Sequence, residues 1–440
     1  MTDTQRAMPR AWLMWSLGAS LFFYASFQRV APSAMLEDLM RSFAATAVIL
    51  GNLSAFFYWS YAFVQIPVGV VVDRWGPRRV LTTSALLCTI GALAFAMAAT
   101  LPVAYASRVL LGIGTGLSLI TTLRLAVNWF PAERYATIAG LTVFIGSAGA
   151  IASQAPLAAL IDVIGWRSAM IGSAIYAVLS GILFWFAVQD APGSRDRGRE
   201  NLGGGTTSYL AGTGGALLYG LKSVIKNPQS WFIIVYHSTL TMPLLAFAGL
   251  WGVVYLTQVY GISRPHAGAM TSLFLLSWGL SAPLGGWLSD RMGRRKPLLI
   301  GVAVLGLIVW CVILYVPDVP LGTYYVLLPL AGLGGSAMGI TFALIREHNT
   351  PFAAGAGAGF LNTGPILCGG LVQPLAGWLL DLGWDGRMRD GVRIFSRDMY
   401  VDAFVIFPIA AVAALVFAVL LRETYCRQQV TREIAKHEQE

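Results

Sequence analysis

Charge is scarce in this chain of 440 residues. Asp, Glu, Lys and Arg together make up 12% of it, whereas a soluble domain needs about a quarter. Hydrophobic residues make up 56%, and the mean hydropathy is +0.67. This composition cannot cover a surface that faces water, so an ordinary soluble protein is excluded. The alternating pattern of a membrane barrel is also missing, and each membrane crossing is therefore expected to be a helix.

Cysteine is equally sparse and forms no pattern. The chain has four cysteines, which lie far apart: Cys88, Cys311, Cys368 and Cys426. They lack metal-ligand spacing, so we predict no metal site, and we interpret the three that lie in apolar runs, Cys88, Cys311 and Cys368, as packing residues. The sequence also has no Walker phosphate loop and no grouping of nucleophile, base and orienting residue. We therefore expect neither an enzyme nor a cofactor.

Long apolar runs take the place of charge. A spanning helix needs roughly 20 apolar residues, and twelve stretches qualify, the first being too long for a cleavable signal peptide. Numbered in chain order, the predicted spans are residues 11–35, 46–72, 79–100, 103–127, 134–161, 168–188, 229–257, 266–289, 297–316, 322–345, 353–380 and 400–421. The sequence thus predicts an all-α polytopic membrane protein with twelve transmembrane helices.

The distribution of positive charge predicts the orientation. The net charge is +9, and with cytoplasmic termini most Lys and Arg residues fall in cytoplasmic loops. All four lysines do so: Lys222, Lys226, Lys296 and Lys436. The positive-inside rule therefore favours both termini in the cytoplasm and a multi-pass protein of the cell inner membrane. The charge reflects orientation, and no nucleic-acid partner is predicted.

A charged segment recurs at half the chain length. Residues 69–79 read GVVVDRWGPRR, and residues 286–296 read GWLSDRMGRRK. The pair Gln154 and Asp162 is likewise echoed by Gln373 and Asp381. Repeats of this kind indicate two six-helix bundles related by an axis along the membrane normal. The predicted domains are a bundle over 1–189, a Gly- and Ser-rich cytoplasmic linker over 190–228, a second bundle over 229–421, and a tail over 422–440.

The repeated segment resembles the loop signature of the major facilitator superfamily, and the resemblance covers nearly the whole chain. The segment beginning at Arg108 and containing Gly112 and Gly114 looks like the superfamily's fourth-helix motif. The resemblance implies alternating access, with the loops as gates. The residues expected to gate are Gly69, Asp73, Arg74, Gly76, Arg78, Arg79, Asp290, Arg291, Gly293 and Arg294, while Gly286 and Arg295 complete the motif. The alternative is that the arginines only fix topology.

Residues of span 1 resemble a particular group of transporters within this superfamily. Tyr24, Gln28 and Arg29 look like the arginine-bearing first helix of organophosphate:phosphate antiporters and related anion porters. In those proteins this arginine binds the anionic group of the substrate. Their second arginine would fall near Leu245 here, and span 2 lacks their basic residue. The resemblance therefore implies an anionic ligand rather than a phosphate ester in particular.

Ionisable residues inside spans are costly and are candidates for function. Arg29 is expected to face the cavity, although its stem could instead snorkel to the headgroups. Arg108, Arg124 and His237 are candidates for coupling. A structural contact is the alternative for Arg108 and His237, while snorkelling, a structural contact and substrate binding are the alternatives for Arg124. No carboxylate lies in the middle of a span. Protons are a candidate coupling ion, while exchange and potential-driven uniport stay open.

Polar residues elsewhere in the spans predict the rest of the substrate site. On span 2, Tyr58, Tyr61 and Gln65 recur at helical spacing on one face. The other predicted lining residues are Gln154 on span 5, Trp251 with Tyr255 on span 7, and Asn362 with Gln373 on span 11. An interhelical hydrogen bond is the alternative for each of them.

These features together predict a monomeric secondary active transporter for a small organic anion, working by symport or antiport. A proton-coupled exporter of drugs or siderophores is the alternative; against it stand the missing buried carboxylate and a poor match to the antiporter motif of span 5. A membrane receptor that binds without transport is a third possibility, although the tail from Arg422 is too short for an output domain.

Overall fold

The computed structural model describes residues 3–65, 67–131, 134–192, 220–350 and 353–429. Most of the predicted linker and the end of the predicted tail, including Lys436, lie outside these ranges. The part of the chain that is described is almost entirely helical, which confirms the predicted all-α class. The only strands within it are β1 (Met388–Arg389) and β2 (Val392–Arg393), which pair antiparallel in one loop.

Nine α-helices in the described part of the chain cover the predicted spans 1 to 6. In chain order they are α1 (Asp3–Val30), α2 (Leu36–Phe43), α3 (Ala47–Gln65), α4 (Val68–Trp75), α5 (Pro77–Ala96), α6 (Leu101–Gly116), α7 (Ser118–Trp129), α8 (Tyr135–Ala152) and α9 (Ala155–Ala187). Helix α9 contains Gly165 with φ of 78°, which breaks the helical backbone. An L-residue with a side chain rarely adopts this conformation, and the predicted turn between spans 5 and 6 lies here.

A further nine helices cover the predicted spans 7 to 12 within the described residues. They are α10 (Pro228–Pro243), α11 (Gly252–Tyr260), α12 (Arg264–Met292), α13 (Lys296–Tyr315), α14 (Tyr324–Gly332), α15 (Ser336–Glu347), α16 (Ala354–Gly383), α17 (Arg397–Phe404) and α18 (Ile406–Leu420). A π-helical segment, Leu244–Trp251, joins α10 to α11. It follows Pro243, whose missing N–H interrupts the regular hydrogen-bond ladder. Residues 220–226 are also helical.

Ten stretches of described helix are long and apolar enough to cross a membrane. One of them, Thr137–Ala187, has 51 residues, and a single crossing needs only about 20. It also contains the break at Gly165. The count of twelve spans and the location of the termini stay predictions.

Proximity of Cα atoms divides the chain into two compact units. The first contains the described residues of Met1–Glu200, Ala246–Ser272 and Gly370–Tyr400, and the second contains those of Asn201–Leu245, Leu273–Gly369 and Val401–Glu440. An apolar cluster of the second unit packs Tyr236, Leu299 and Ile340 from α10, α13 and α15. The first unit has a cluster around Trp15 and Phe130. The predicted domain boundaries themselves stay a prediction.

Candidate substrate-binding site and gating loops

Arg29 lies in the last turn of α1, half-buried, and its charge acts on the hydroxyl groups of Tyr58 and Tyr61 of α3. Within the described residues its guanidinium makes no hydrogen bond and no ion pair. Tyr58 and Tyr61 are three residues apart and share one helix face, as their spacing predicts. The structure therefore brings together the predicted arginine and two of the predicted polar side chains.

Arg108 of α6 adds a second positive charge to the same place. Its side chain is 1% exposed, and its charge also acts on the Tyr58 hydroxyl. Its Nη1 donates to the backbone oxygen of Gln28 at 3.0 Å, and its guanidinium stacks over Phe57 at 4.5 Å. Nε and Nη2 have no hydrogen-bond partner among the described residues. A buried cation without a counter-charge is costly, so this cluster is suited to receive an anion.

Gln65 lies one turn beyond Tyr61 and interacts with it. Its amide nitrogen is buried without a hydrogen-bond partner in the described part of the chain. A buried amide donor without an acceptor costs free energy. Gln65 is therefore a further donor that a bound ligand could satisfy.

Tyr24 and Gln28 lie on a different face of α1 from Arg29. Gln28 donates to the Tyr24 hydroxyl at 2.8 Å and to the Ser173 hydroxyl of α9 at 2.9 Å. The Tyr24 ring stacks on Tyr176 with centroids 5.6 Å apart. Both predicted substrate residues are thus buried in a network inside the first unit, and the structure does not bring their side chains together with Arg29.

Gln154 and Trp251 are completely buried and already hydrogen-bonded. Gln154 donates to the backbone oxygen of Ala248 at 2.7 Å and accepts from the Thr271 hydroxyl at 3.1 Å. Trp251 donates to the backbone oxygen of Gln373 at 3.2 Å. These contacts match the interhelical hydrogen bonds that the sequence left open as the alternative role.

Two predicted residues belong to the second unit. Asn362 is half-buried on α16, and its side chain makes no hydrogen bond to any described residue. His237 of α10 is buried, with Nδ1 3.0 Å from the Thr341 hydroxyl and its ring edge-on to Phe342. His237 therefore has a polar partner within its own unit.

The first gating loop joins α4 to α5. Gly76 has φ of 79°, and a side chain there would collide with the Asp190 carboxylate. Asp190 accepts from the backbone N–H of Arg78 at 2.7 Å, which satisfies a donor at the start of α5. Asp73 pairs with Arg124 of α7 at 3.1 Å. The structure thus joins a predicted gating residue to a predicted coupling residue.

The remaining residues of this loop make looser contacts. The Arg78 guanidinium lies 4.6 Å from the ring centroid of Trp185. Arg74 and Arg79 are exposed and form no ion pair with a described residue. A side chain added at Gly69 would meet no described heavy atom within 4 Å. No described residue therefore packs closely against Gly69.

The second gating loop joins α12 to α13 and is organised by Arg295. This guanidinium contacts Glu347 of α15 at 2.7 Å and Asp290 at 2.6 Å, and it donates to the Ser289 hydroxyl at 3.0 Å. Burial lowers the pKa of Arg295, but the hydrogen bonds of Glu347 and Asp290 raise it more, so its pKa lies above the ordinary value. Arg291 lies over the ring of Trp287, Arg294 is exposed, and Gly293 has φ of 64°.

The chain segment after α18 forms hydrogen bonds with residues of this second loop and with Glu347. Both carboxylate oxygens of Glu423 accept from the first backbone N–H groups of α13, those of Arg295 and Lys296, at 2.9 Å. Although burial raises the pKa of Glu423, hydrogen bonds from four backbone N–H groups lower it below its ordinary value. Thr424 donates to Glu347 at 2.6 Å. Glu423 thus holds α13 as Asp190 holds α5.

Comparison with known proteins identifies the family. The family model described as "Major Facilitator Superfamily" matches residues 17–364 and 244–436. The chain belongs to the Major Facilitator Superfamily. It is 25% identical over 415 residues to "Probable anion transporter 4, chloroplastic" of Oryza sativa subsp. japonica, covering 88% of this chain and 67% of the relative. It is 24% identical over 383 residues to "Probable galactarate/D-glucarate transporter GudP" of Bacillus subtilis (strain 168), covering 79% of this chain and 82% of the relative.

Solved structures of other transporters share the fold. A bacterial homolog of the human lysosomal transporter Spinster superposes with a TM-score of 0.72 at 16% identity, over 94% of this chain and 95% of that chain. A D-xylose-proton symporter gives a TM-score of 0.67 at 16% identity, over 93% of this chain and 96% of that chain. At this identity the likeness concerns the fold alone.

Three carboxylates that support the gating loops were not predicted from the sequence. Asp190, Glu423 and Glu347 were not assigned a role, and the side chain of Glu347 is buried. A signal for the first two exists in the sequence: each follows the last span of its predicted bundle within a few residues. An acid at that position is next to the start of the third helix of the same bundle, where backbone N–H groups need acceptors.

Proposed function

We propose that this superfamily member carries a small organic anion across the membrane by alternating access, with Arg29 as the residue that binds the anionic group. The supporting observation is the cluster of Arg29, Arg108 and the Tyr58 hydroxyl, which contains no carboxylate among the described residues. Two unpaired cations in a low-dielectric site attract an anion strongly. The relatives' names, which include an anion transporter and a galactarate/D-glucarate transporter, support the same substrate class.

The finer architecture is part of this proposal. We infer twelve transmembrane helices in two six-helix bundles, both termini in the cytoplasm, a monomer, and a location in the inner membrane. The 51-residue stretch Thr137–Ala187, broken at Gly165, supplies the length of two crossings. Helix α1 supplies one more with 28 residues. The superfamily relatives support a transporter rather than an enzyme, and no observation favours the drug-exporter alternative.

The gating roles follow from charge and geometry. We infer that the loop residues around Asp73 and Asp290 stabilise one state of the transport cycle, because their ion pairs and helix-end contacts depend on how the helices are arranged. Arg124 belongs with this group, since it is the partner of Asp73. Arg108 is assigned to the substrate cluster, which gives it a role in binding beside the coupling role predicted for it.

Counterflow in proteoliposomes tests the function. Vesicles loaded with one unlabelled organic anion are expected to accumulate the labelled anion from a panel that includes aldarates and simpler dicarboxylates. Neutral sugars of the same size are the matched controls and are expected to give no accumulation. Running the assay with and without a pH gradient separates exchange from proton coupling. Accumulation of neutral compounds, but of no anion, would contradict the proposal.

Proton coupling through His237 is a separate prediction. If the imidazole carries the coupling proton, His237→Gln is expected to flatten the pH dependence of uptake, because an amide does not take up or release a proton. The amide can still hydrogen-bond the Thr341 hydroxyl, so the packing of α10 is preserved. Uptake is measured at a series of pH values for both proteins. An unchanged pH profile would show that His237 is not the coupling group.

A further inference from the structure

The repeated pairs Gln154/Asp162 and Gln373/Asp381 are not explained by substrate binding or by the two gating loops. In each pair the carboxylate follows the amide after the same number of residues. All four residues belong to the first compact unit, on the side predicted to be periplasmic. Each of them contacts a segment from the opposite half of the sequence, and the two sets of contacts correspond.

Asp381, at the end of α16, binds the start of α3. Its two carboxylate oxygens accept from the backbone N–H groups of Ala47 at 3.0 Å and Val48 at 2.8 Å. Arg393 of β2 pairs with the same carboxylate at 2.9 Å. A carboxylate in this position satisfies the unpaired donors of the helix and also interacts favourably with its dipole.

Asp162, in α9, makes the corresponding contact with the start of α12. Arg264 is the first residue of that helix. It follows Ala47 in the sequence by the same number of residues that separates the two gating loops, so the two positions correspond in the repeat. Its guanidinium is 3.6 Å from Asp162 and 2.6 Å from Asp38. Here a side-chain cation replaces the backbone donors, but the same helix end is held by a carboxylate of the other half.

The two glutamines hold the same pairs of helices two to three turns deeper. Gln154 accepts from Thr271 of α12 and donates to the backbone oxygen of Ala248 in the π-helical segment. The side chains of Gln373 and Tyr58 of α3 are hydrogen-bonded. Trp251, at the end of the π-helical segment, donates to the Gln373 backbone oxygen. Each glutamine therefore joins the helix that its neighbouring carboxylate also holds.

Glycines let both pairs of helices approach closely. A Cβ added at Gly51 of α3 would lie 2.5 Å from the Cα of Pro374, which follows Gln373. A Cβ added at Gly268 of α12 would lie 2.8 Å from the nitrogen of Ala155, which follows Gln154. The two glycines occupy corresponding positions in the repeat, and so do Pro374 and Ala155. The same backbone contact is thus present twice.

We propose that the two Gln–Asp pairs form a paired latch that holds the predicted periplasmic side of the transporter closed, so that this side opens only when both sets of contacts break. The latch rests on the proposed alternating access. It does not involve Arg29 or the substrate. The two parts differ in chemistry, because Asp381 is held mainly by backbone donors and Asp162 by the side chain of Arg264.

Sided labelling of a single reporter cysteine tests the latch. Ser54 is completely buried on α3 and shares the face of Ala47, Gly51 and Tyr58, which contacts α16. Ser54→Cys is placed in a chain that retains Cys88 but has Cys311, Cys368 and Cys426 replaced by serine. Full-length protein in oriented vesicles is treated with a membrane-impermeant maleimide from the predicted periplasmic side, and both cysteines are followed by mass spectrometry.

Loosening either carboxylate is expected to raise the labelling rate of the Ser54→Cys reporter, because the closed state loses the charge-assisted hydrogen bonds of Asp381 or the weaker ion pair of Asp162 with Arg264. The rise is expected to be about tenfold for Asp381 and smaller for Asp162, since Asp38 also holds Arg264. This is expected for Asp381→Asn and Asp162→Asn, with a larger effect in the double variant. The matched control is Asp385→Asn, since Asp385 is exposed and pairs only with the nearby Arg387; its rate should equal that of the parent.

The outcomes separate the latch from unfolding and from the proposed function. Cys88 is fully buried in the same unit, so a rise in its labelling, or an equal rise when the reagent is added from the opposite side, indicates unfolding and overturns the proposal. Unchanged rates in both single variants and the double variant overturn it as well. Because no substrate is added, a raised rate supports the latch even if counterflow of organic anions fails.

Discussion

Replacing Arg29 with alanine is expected to reduce anion counterflow by about ten- to a hundredfold. The half-buried guanidinium has no ion-pair partner among the described residues, so its charge is available to a substrate anion. A hydrogen bond to a charged group contributes about 1.5–3 kcal/mol, and each 1.4 kcal/mol corresponds to about a tenfold change in affinity. The loss should appear chiefly as a raised KM. It is measured as the initial rate of counterflow over a range of substrate concentrations.

The lysine variant makes this prediction more specific. Arg29→Lys keeps the charge but loses the planar, two-pronged donor geometry that matches a carboxylate. We expect it to retain part of the activity, between that of alanine and the parent. Arg10→Ala is the matched control, because Arg10 is an exposed arginine on the same helix. If Arg29→Ala transports as well as the parent protein, the anion site is not at Arg29.

Local sequence signals predicted the loops well because their chemistry is local. A glycine between a helix that ends and a proline that starts the next one predicts a tight turn at Gly76. The structure gives that residue a positive φ. The face of α3 was predicted for the same reason, since Tyr58 and Tyr61 are neighbours on one helix whatever surrounds them.

Neighbours across the fold could not be predicted in this way. Tyr24, Gln28 and Arg29 are close in sequence, but Gln28 and Arg29 point about 100° apart on the helix. Which of them meets α9 and which meets α3 depends on how α1 is rotated against its neighbours. The same limit applies to Glu347, whose burial follows from Arg295 some 50 residues away. Neither contact can be predicted from the sequence around the residue itself.

The two gating loops look equivalent in sequence, but their ion pairs differ in how much free energy it takes to break them. The pair Asp73–Arg124 is solvated, with side chains 49% and 46% exposed, and such surface pairs contribute only about 0–1 kcal/mol. The pair Arg295–Glu347 is 6% and 5% exposed. The first loop can therefore break and re-form its ion pair at little cost during a transport cycle. In the second loop the buried Arg295–Glu347 pair is far more costly to break, whereas the contacts of the exposed Asp290 can still change during the cycle.

This difference leads to the largest expected effect on stability. Glu347→Gln is expected to destabilise the folded protein by about 3–5 kcal/mol, because it leaves the buried Arg295 charge without its buried partner. Asp290 cannot replace Glu347, since its own side chain is 66% exposed and solvated. The glutamine also loses the charge that accepts from the Thr424 hydroxyl. The effect is measured as a lowered midpoint of thermal unfolding of the purified protein in detergent.

Two further variants decide whether the uncompensated charge is the cause. Asp73→Asn breaks the exposed ion pair and should change the midpoint far less, by the equivalent of under about 1 kcal/mol. Arg295→Met combined with Glu347→Leu removes both charges, and it should recover much of the stability because well-packed apolar residues can replace a buried pair. If the double variant is as unstable as Glu347→Gln, then the loss comes from packing or from the contacts of Thr424 and Ser289, and the charge argument is wrong.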